Sequence, residues 1–164
     1  MTTSAAGDIH IAVLAAGQGT RMKSGLPKVL HRISGLSLID HVLRTADTVA
    51  PATITVVVGH KAESVRGHLS SRQQVRFALQ EPQFGTAHAL QQTEPVLAGL
   101  TGTLVLLSGD VPLLTPHTLG RLVETHRGAN AAATVVTATV ERPYGYGRIV
   151  RTEGRIARIV EERD

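Results

Sequence analysis

The sequence predicts an α/β fold, doubly wound around a mostly parallel sheet. Two observations predict it. Short apolar, β-branched runs alternate with stretches whose apolar residues recur at helical spacing. Strands alternating with helices are the pattern of a parallel sheet. The first apolar run also leads directly into a glycine-rich turn, and such sheets receive ligands just beyond the carboxyl ends of their strands.

The elements follow in order. Residues 9–15 form a short apolar run bounded by polar residues, and are expected to be a buried strand. Residues 38–49 place Leu38, Ile39, Val42, Leu43, Ala46 and Val49 at helical spacing. Residues 53–58 are β-branched and give the second strand, residues 62–69 a short helix, and residues 75–79 the third strand. Residues 86–97 read as a helix, and 104–107 as the fourth strand, running into Ser108-Gly109-Asp110. A helix is expected over 113–126, with Thr115 as N-cap and Pro116 at its first position, where the missing N–H costs nothing. Residues 132–140 are expected to be a long β-branched strand. Residues 148–150 and 156–160 should pair around a turn at Glu153-Gly154. The arrangement is Rossmann-like, and the informative loops follow strands one, three and four.

Composition narrows the chemistry. The 164 residues suit one domain, and 42% are hydrophobic, so a packed core is expected. There is no cysteine, which removes disulfides, thiol nucleophiles and thiolate-bound zinc. Residues 1–8 lack a basic and apolar leader pattern, and no apolar run approaches the ~18 residues of a membrane span. The expectation is a cytoplasmic protein without membrane contact. The net charge of +4 favours anionic partners. Two Phe, two Tyr and no Trp offer little for stacking bases, and no dense Lys/Arg block is present, so phosphorylated small molecules are preferred to nucleic acid. The eight histidines show no metal-ligand spacing, and no role is assigned to His31 or His88.

The turn after the first strand reads Leu14-Ala15-Ala16-Gly17-Gln18-Gly19-Thr20-Arg21 and continues to Pro27-Lys28. Small residues let backbone approach a ligand, and successive N–H groups cradle phosphate oxygens. Arg21 and Lys28 add positive charge, Arg21 suited to bidentate contact. Met22 stands where a dinucleotide fingerprint needs its third glycine, and no Gly-Lys-Ser/Thr follows, so neither common phosphate-loop pattern is met. A plain strand-to-helix turn with solvated charges stays open at this point. Two further loops join it. In Gln80-Glu81-Pro82-Gln83-Phe84-Gly85-Thr86, an amide offers both donor and acceptor, matching the imide edge of uracil, and the start of the next helix favours anions. In Ser108-Gly109-Asp110-Val111-Pro112-Leu113, a carboxylate ends a parallel strand, a good position for Mg²⁺ shared with substrate phosphates. A turn or cap role for Asp110 remains open on these grounds.

Taken together, these motifs resemble the sugar-1-phosphate nucleotidyltransferases, most of all the bacterial N-acetylglucosamine-1-phosphate uridylyltransferases. The resemblance rests on residues 14–22, Pro27-Lys28-Val29-Leu30-His31 and the Gln80 and Asp110 loops, and runs over about residues 9–164. It implies a nucleotide-diphospho-sugar transferase fold and synthesis of UDP-N-acetylglucosamine and pyrophosphate from UTP and N-acetylglucosamine 1-phosphate, for cell-envelope precursors. It implies that Leu14, Ala15, Ala16, Gly17, Gly19, Lys28, Gln80, Gly85, Thr86, Ser108, Gly109 and Asp110 line the nucleotide pocket. Arg21, Lys28 and Asp110 would carry the chemistry, Asp110 would hold Mg²⁺, and Gly147 and Glu161 would contact the sugar. Related families carry Gly-Gly in place of Ala15-Ala16, or Gln in place of Val29. Family members continue well past Asp164, so the chain is expected to be a partial nucleotidyltransferase domain without the acetyltransferase β-helix, weak or inactive in turnover. A nucleotidyltransferase for another sugar phosphate or a cofactor precursor, and a non-catalytic nucleotide-binding module, are the competing readings. The sequence leaves the oligomeric state open.

Overall fold

A computed structural model describes residues 9–19 and 22–160. The chain divides into two units, Met1–Arg121 and Leu122–Asp164.

The first unit is built on a four-stranded, wholly parallel sheet in the order β5-β4-β1-β6. Its strands are β1 (Ile9–Leu14), β4 (Thr53–Val58), β5 (Val75–Leu79) and β6 (Thr103–Ser108). Successive strand residues face opposite sides, so the complete burial of Ile11, Ala12 and Val13 means that β1 is covered on both faces. The same holds for Val56, Val57 and Val58 of β4, and this explains why both strands are mostly apolar without alternating, with His10 and Thr55 as buried polar exceptions. At the edge, β6 alternates instead. Val105 and Leu107 are buried while Leu104 and Leu106 are exposed.

A short 3₁₀ turn (Lys28–Leu30) anchors itself through buried Val29 and Leu30. It leads into a hairpin of β2 (Arg32–Ile33) and β3 (Leu36–Ser37) that sequence periodicity does not reveal. Ser34 and Gly35, at φ 51° and 84°, make the mirror-image turn that suits strand twist. Helix α1 (Leu38–Asp47) follows. The Ser37 hydroxyl accepts from the Asp40 N–H as its N-cap, and Leu38, Ile39, Val42, Leu43 and Ala46 form its buried stripe. Helix α2 (Ala62–His68) buries Val65.

The helix expected over 86–97 is instead two: α3 (Thr86–Gln91) and α4 (Glu94–Leu97). The cause is Pro95, which lacks an N–H and would clash with the carbonyl four residues earlier. Thr93 relieves the break by donating its hydroxyl to the Leu90 carbonyl at 2.7 Å. Helix α5 (Pro116–Gly128) begins in the first unit and ends in the second. Proline takes its first position as expected, and Thr115 Oγ1 accepts the Thr118 N–H at 3.1 Å.

In the second unit, β7 (Arg148–Thr152) and β8 (Arg155–Val160) form the expected antiparallel hairpin around Glu153-Gly154. The strand expected over 132–140 is absent. These residues pair with no strand among those described, and Val135, Val136 and Val140 are exposed. β-Branched composition favours a pleated, half-buried surface but supplies no ladder partner, and without one the preference has nothing to act on. Among the described residues, no helix is long and apolar enough to cross a membrane.

Candidate functional site

Three loops at the carboxyl ends of the parallel strands meet around one cavity of about 330 Å³ in the first unit. The loop after β1 remains tied to the sheet for one residue more, because the Ala15 N–H donates to the Val57 carbonyl at 2.8 Å. Ala16 then packs with Val57, Ala78 and Ala89 in a buried cluster, against Leu14. Only small side chains allow the loop to lie this close to the sheet end.

Gly19 has φ 62°, and a Cβ there would lie 2.8 Å from the Lys28 Cβ. Glycine is thus required twice over, for conformation and for room, and it brings the phosphate-type loop against Lys28. The 3₁₀ turn holds the Lys28 backbone, and its ammonium donates to Asp110 Oδ2 at 2.5 Å. These side chains keep 40% and 32% of their exposure, so the pair sits at a solvated mouth. Asp110 reaches this place because the Gly109 N–H donates to the Leu14 carbonyl at 2.9 Å, locking the end of β6 to the end of β1. A Cβ on Gly109 would lie 2.9 Å from that carbonyl oxygen.

The opposite wall is made by the loop after β5. Its Gln80 is buried, with its N–H donating to the Val58 carbonyl at 2.8 Å. The side-chain amide nitrogen donates to the Gly85 carbonyl at 2.9 Å and lies 3.2 Å from His88 Nδ1. His88 in turn lies 3.0 Å from the Gln92 amide. The amide is therefore oriented before any ligand arrives.

Of the residues expected at a site, Leu14, Ala15, Ala16, Gly17, Lys28, Gln80, Gly85, Thr86, Ser108 and Asp110 line this cavity. Gly19 and Gly109 are not among the lining residues but pack closely against ones that are, Gly19 against Lys28 and Gly109 against Leu14 and Val29. Gly147 is exposed just before β7 in the second unit. Arg21 and Glu161 lie outside the described residues. Val29, Gln83 and Ala89 also line the cavity, unforeseen from sequence. For Gln83 a signal existed, a second amide in the Gln80 loop. A wider hollow of about 710 Å³ adjoins it and shares Gln80 and Gln83.

A Ser-His-Asp grouping lies elsewhere in this unit. Ser37 Oγ donates to Asp40 Oδ2 at 2.6 Å, and His68 Nε2 sits 2.8 Å from the same carboxylate oxygen and 3.1 Å from Ser37 Oγ. One ring nitrogen faces both partners, so the imidazole does not relay between serine and aspartate as a hydrolytic triad requires. The grouping caps α1 and ties it to the end of α2. Burial raises the Asp40 pKa, but hydrogen bonds from Ser37 and His68 and the histidine charge outweigh it, and the carboxyl is held below its ordinary 3.8.

Comparison with known proteins places this architecture. The chain is 46% identical to the bifunctional protein GlmU of Streptococcus suis over 94% of its own length, and covers 34% of that protein. It spans about a third of the length of the curated relatives it matches, in their N-terminal part. Among solved structures, a UDP-glucose pyrophosphorylase complexed with UDP-glucose superposes with a TM-score of 0.74 at 18% identity, covering 94% of this chain and 69% of that one. Rv0371c of Mycobacterium tuberculosis, in complex with manganese, gives 0.61 at 22% identity, covering 74% and 60%. The family model for the MobA-like NTP transferase domain matches residues 11–160, and the chain belongs to that nucleotidyltransferase family.

Proposed function

We propose that the cavity binds UTP and that the domain serves the formation of UDP-N-acetylglucosamine and pyrophosphate from UTP and N-acetylglucosamine 1-phosphate, in the cytoplasm, for cell-envelope precursors. The observation that carries the reading is the cavity's polarity. Lys28 and Asp110 stand at one end and the buried Gln80 amide at the other, spanned by small residues. A nucleotide has that polarity, with phosphates at one end and a hydrogen-bonding base edge at the other.

In this reaction an oxygen of the sugar phosphate attacks the α-phosphorus of UTP, and the bond to the β-phosphate oxygen breaks with pyrophosphate leaving. The nucleophile is already an anion, so no general base is needed. The task is to bring two polyanions together. Two unit charges at 4 Å repel by ~4 kcal/mol at an effective dielectric near 20. Lys28 offsets part of this, with Arg21 proposed to add to it. Small loop residues leave backbone N–H groups accessible to phosphate oxygens.

The donor set at Asp110 also fits a divalent cation. It offers hard carboxylate oxygen at the cavity mouth, and no group of three His, Asp or Glu forms a cage among the described residues. Mg²⁺ binds through few carboxylates together with substrate phosphates. Asp110 would hold it, and the ion would supply charge neutralisation for the phosphates. Gly147 and Glu161 are proposed as sugar contacts.

Calorimetric titration with UTP, CTP, ATP and GTP, with and without Mg²⁺, tests the reading alongside pyrophosphate release with N-acetylglucosamine 1-phosphate. Mg²⁺-dependent binding that favours UTP is expected. Equal affinity for all four, or no change in Asp110→Ala, would overturn it. UTP binding with weak or no turnover is the result expected of this partial domain.

A further inference from the structure

We infer that Gly59 is a positioning residue that sets the width of the cavity between its first loop and Gln83. The inference rests on the nucleotide reading above and adds a residue that lines the adjoining hollow and not the cavity itself. Gly59 follows β4 directly. A Cβ on it would lie 2.8 Å from Gln83 Nε2, 2.9 Å from the Ala16 Cβ and 3.1 Å from the Ala16 carbonyl oxygen. Ala16 and Gln83 both belong to the cavity wall, so Gly59 is the wedge point between two of the loops that form it.

The need here is for room and not for conformation. Gly59 lacks the positive φ of Gly19 and Gly85, so alanine is free of backbone strain at this position. An added methyl must therefore act on its neighbours. The Gln83 amide is the far end of a flexible side chain and can swing aside, but that alters the wall. The Ala16 backbone has less freedom. One residue before it, the Ala15 N–H is bonded to Val57. The Gly59 side is held as well, since its carbonyl accepts the Ala62 N–H at 3.0 Å, and Gln80 is bonded to Val58. With both sides tethered nearby, the strain of the methyl falls on the Ala16–Gly17 backbone and on Gln83. A ligand that spans the two loops then loses registry with one of them, and misplacement of this kind is costly.

The test is a double-mutant series: wild type, Gly59→Ala, Ala16→Gly, and Gly59→Ala with Ala16→Gly. UTP dissociation constants are measured with Mg²⁺ by calorimetry, beside melting temperatures and the free-state NMR signals of the Ala16 amide and Gln83 side-chain amide. Gly59→Ala is expected to weaken UTP about tenfold or more. Removing the Ala16 methyl in the double variant is expected to recover part of that loss, since it frees the 2.9 Å contact and leaves those with the Ala16 carbonyl and Gln83. A merely structural glycine would instead lower the melting temperature with UTP affinity unchanged, and that result would overturn the inference. So would failure of Ala16→Gly to restore affinity. If the wild type binds no UTP, the nucleotide reading falls, and the free-state signals still decide the role of Gly59. They shift in Gly59→Ala and return in the double variant if Gly59 sets the spacing, and stay in place if it does not.

Discussion

At one end of the cavity, Lys28 and Asp110 hold each other across a partly solvated mouth. At the other, Gln80 is buried and bonded to Gly85 beside His88. The charged end is satisfied by a partner that a ligand can replace. A partly exposed ion pair contributes little to stability, so little would be lost if, as proposed, phosphate took the lysine and a cation the carboxylate. The amide end is organised in advance, and a buried hydrogen-bonded group is expensive to disturb. The charged end is thus suited to strength and salt-dependent attraction, and the amide end to discrimination.

Substitutions should separate the two ends. Asp110→Ala should have the largest effect, removing the Mg²⁺-dependent gain in UTP affinity and lowering pyrophosphate release on the order of a hundredfold. Titration with and without metal checks the first and a coupled phosphate assay the second. Lys28→Ala should weaken UTP about tenfold and flatten the dependence of affinity on ionic strength, since a partly exposed charge is screened by salt. Calorimetry at low and high salt measures this. Gln80→Ala should leave the Gly85 carbonyl without its donor, at a cost of about 1–3 kcal/mol in stability, and erase the preference for UTP over CTP. Melting and nucleotide competition read those two effects separately.

The smallest effect lies away from the cavity. Asp40 has its carboxyl held below 3.8, so the Ser37–Asp40–His68 contact stabilises the folded state above that pH and loses this contribution as pH falls through the lowered value. The melting temperature should decline at the acid end, and Asp40→Asn should show a shallower decline there. An identical acid profile for both proteins would contradict the assignment.

Much of this architecture was legible because parallel strands leave a local mark. Covered on both faces, β1 and β4 are mostly apolar and β-branched, and the expected bounds of residues 53–58 and 75–79 coincide with β4 and β5. The hairpin at Ser34-Gly35 was not legible, since two-residue strands are too short to show a period. Residues 132–140 misled for the opposite reason, having the composition of a strand and no neighbour among the described residues to pair with. The break at Pro95 was readable and outweighed by helical spacing around it. Of the site, the loops that carry the lining were readable from glycine, charge and amide motifs. Gly59 was not, because its role is a contact across loops far apart in sequence, and a single glycine after a strand carries no motif.

The central claim is that both ends of the cavity act on one nucleotide. Binding of uridine compared with UTP, in wild type, Lys28→Ala and Gln80→Ala, tests it most directly. Lys28→Ala should weaken UTP about tenfold and leave uridine unchanged, since in the proposed binding only the phosphates would meet the ammonium. Gln80→Ala should weaken both by the same factor. Equal loss of uridine and UTP in Lys28→Ala, or unchanged binding of both in Gln80→Ala, would contradict the account.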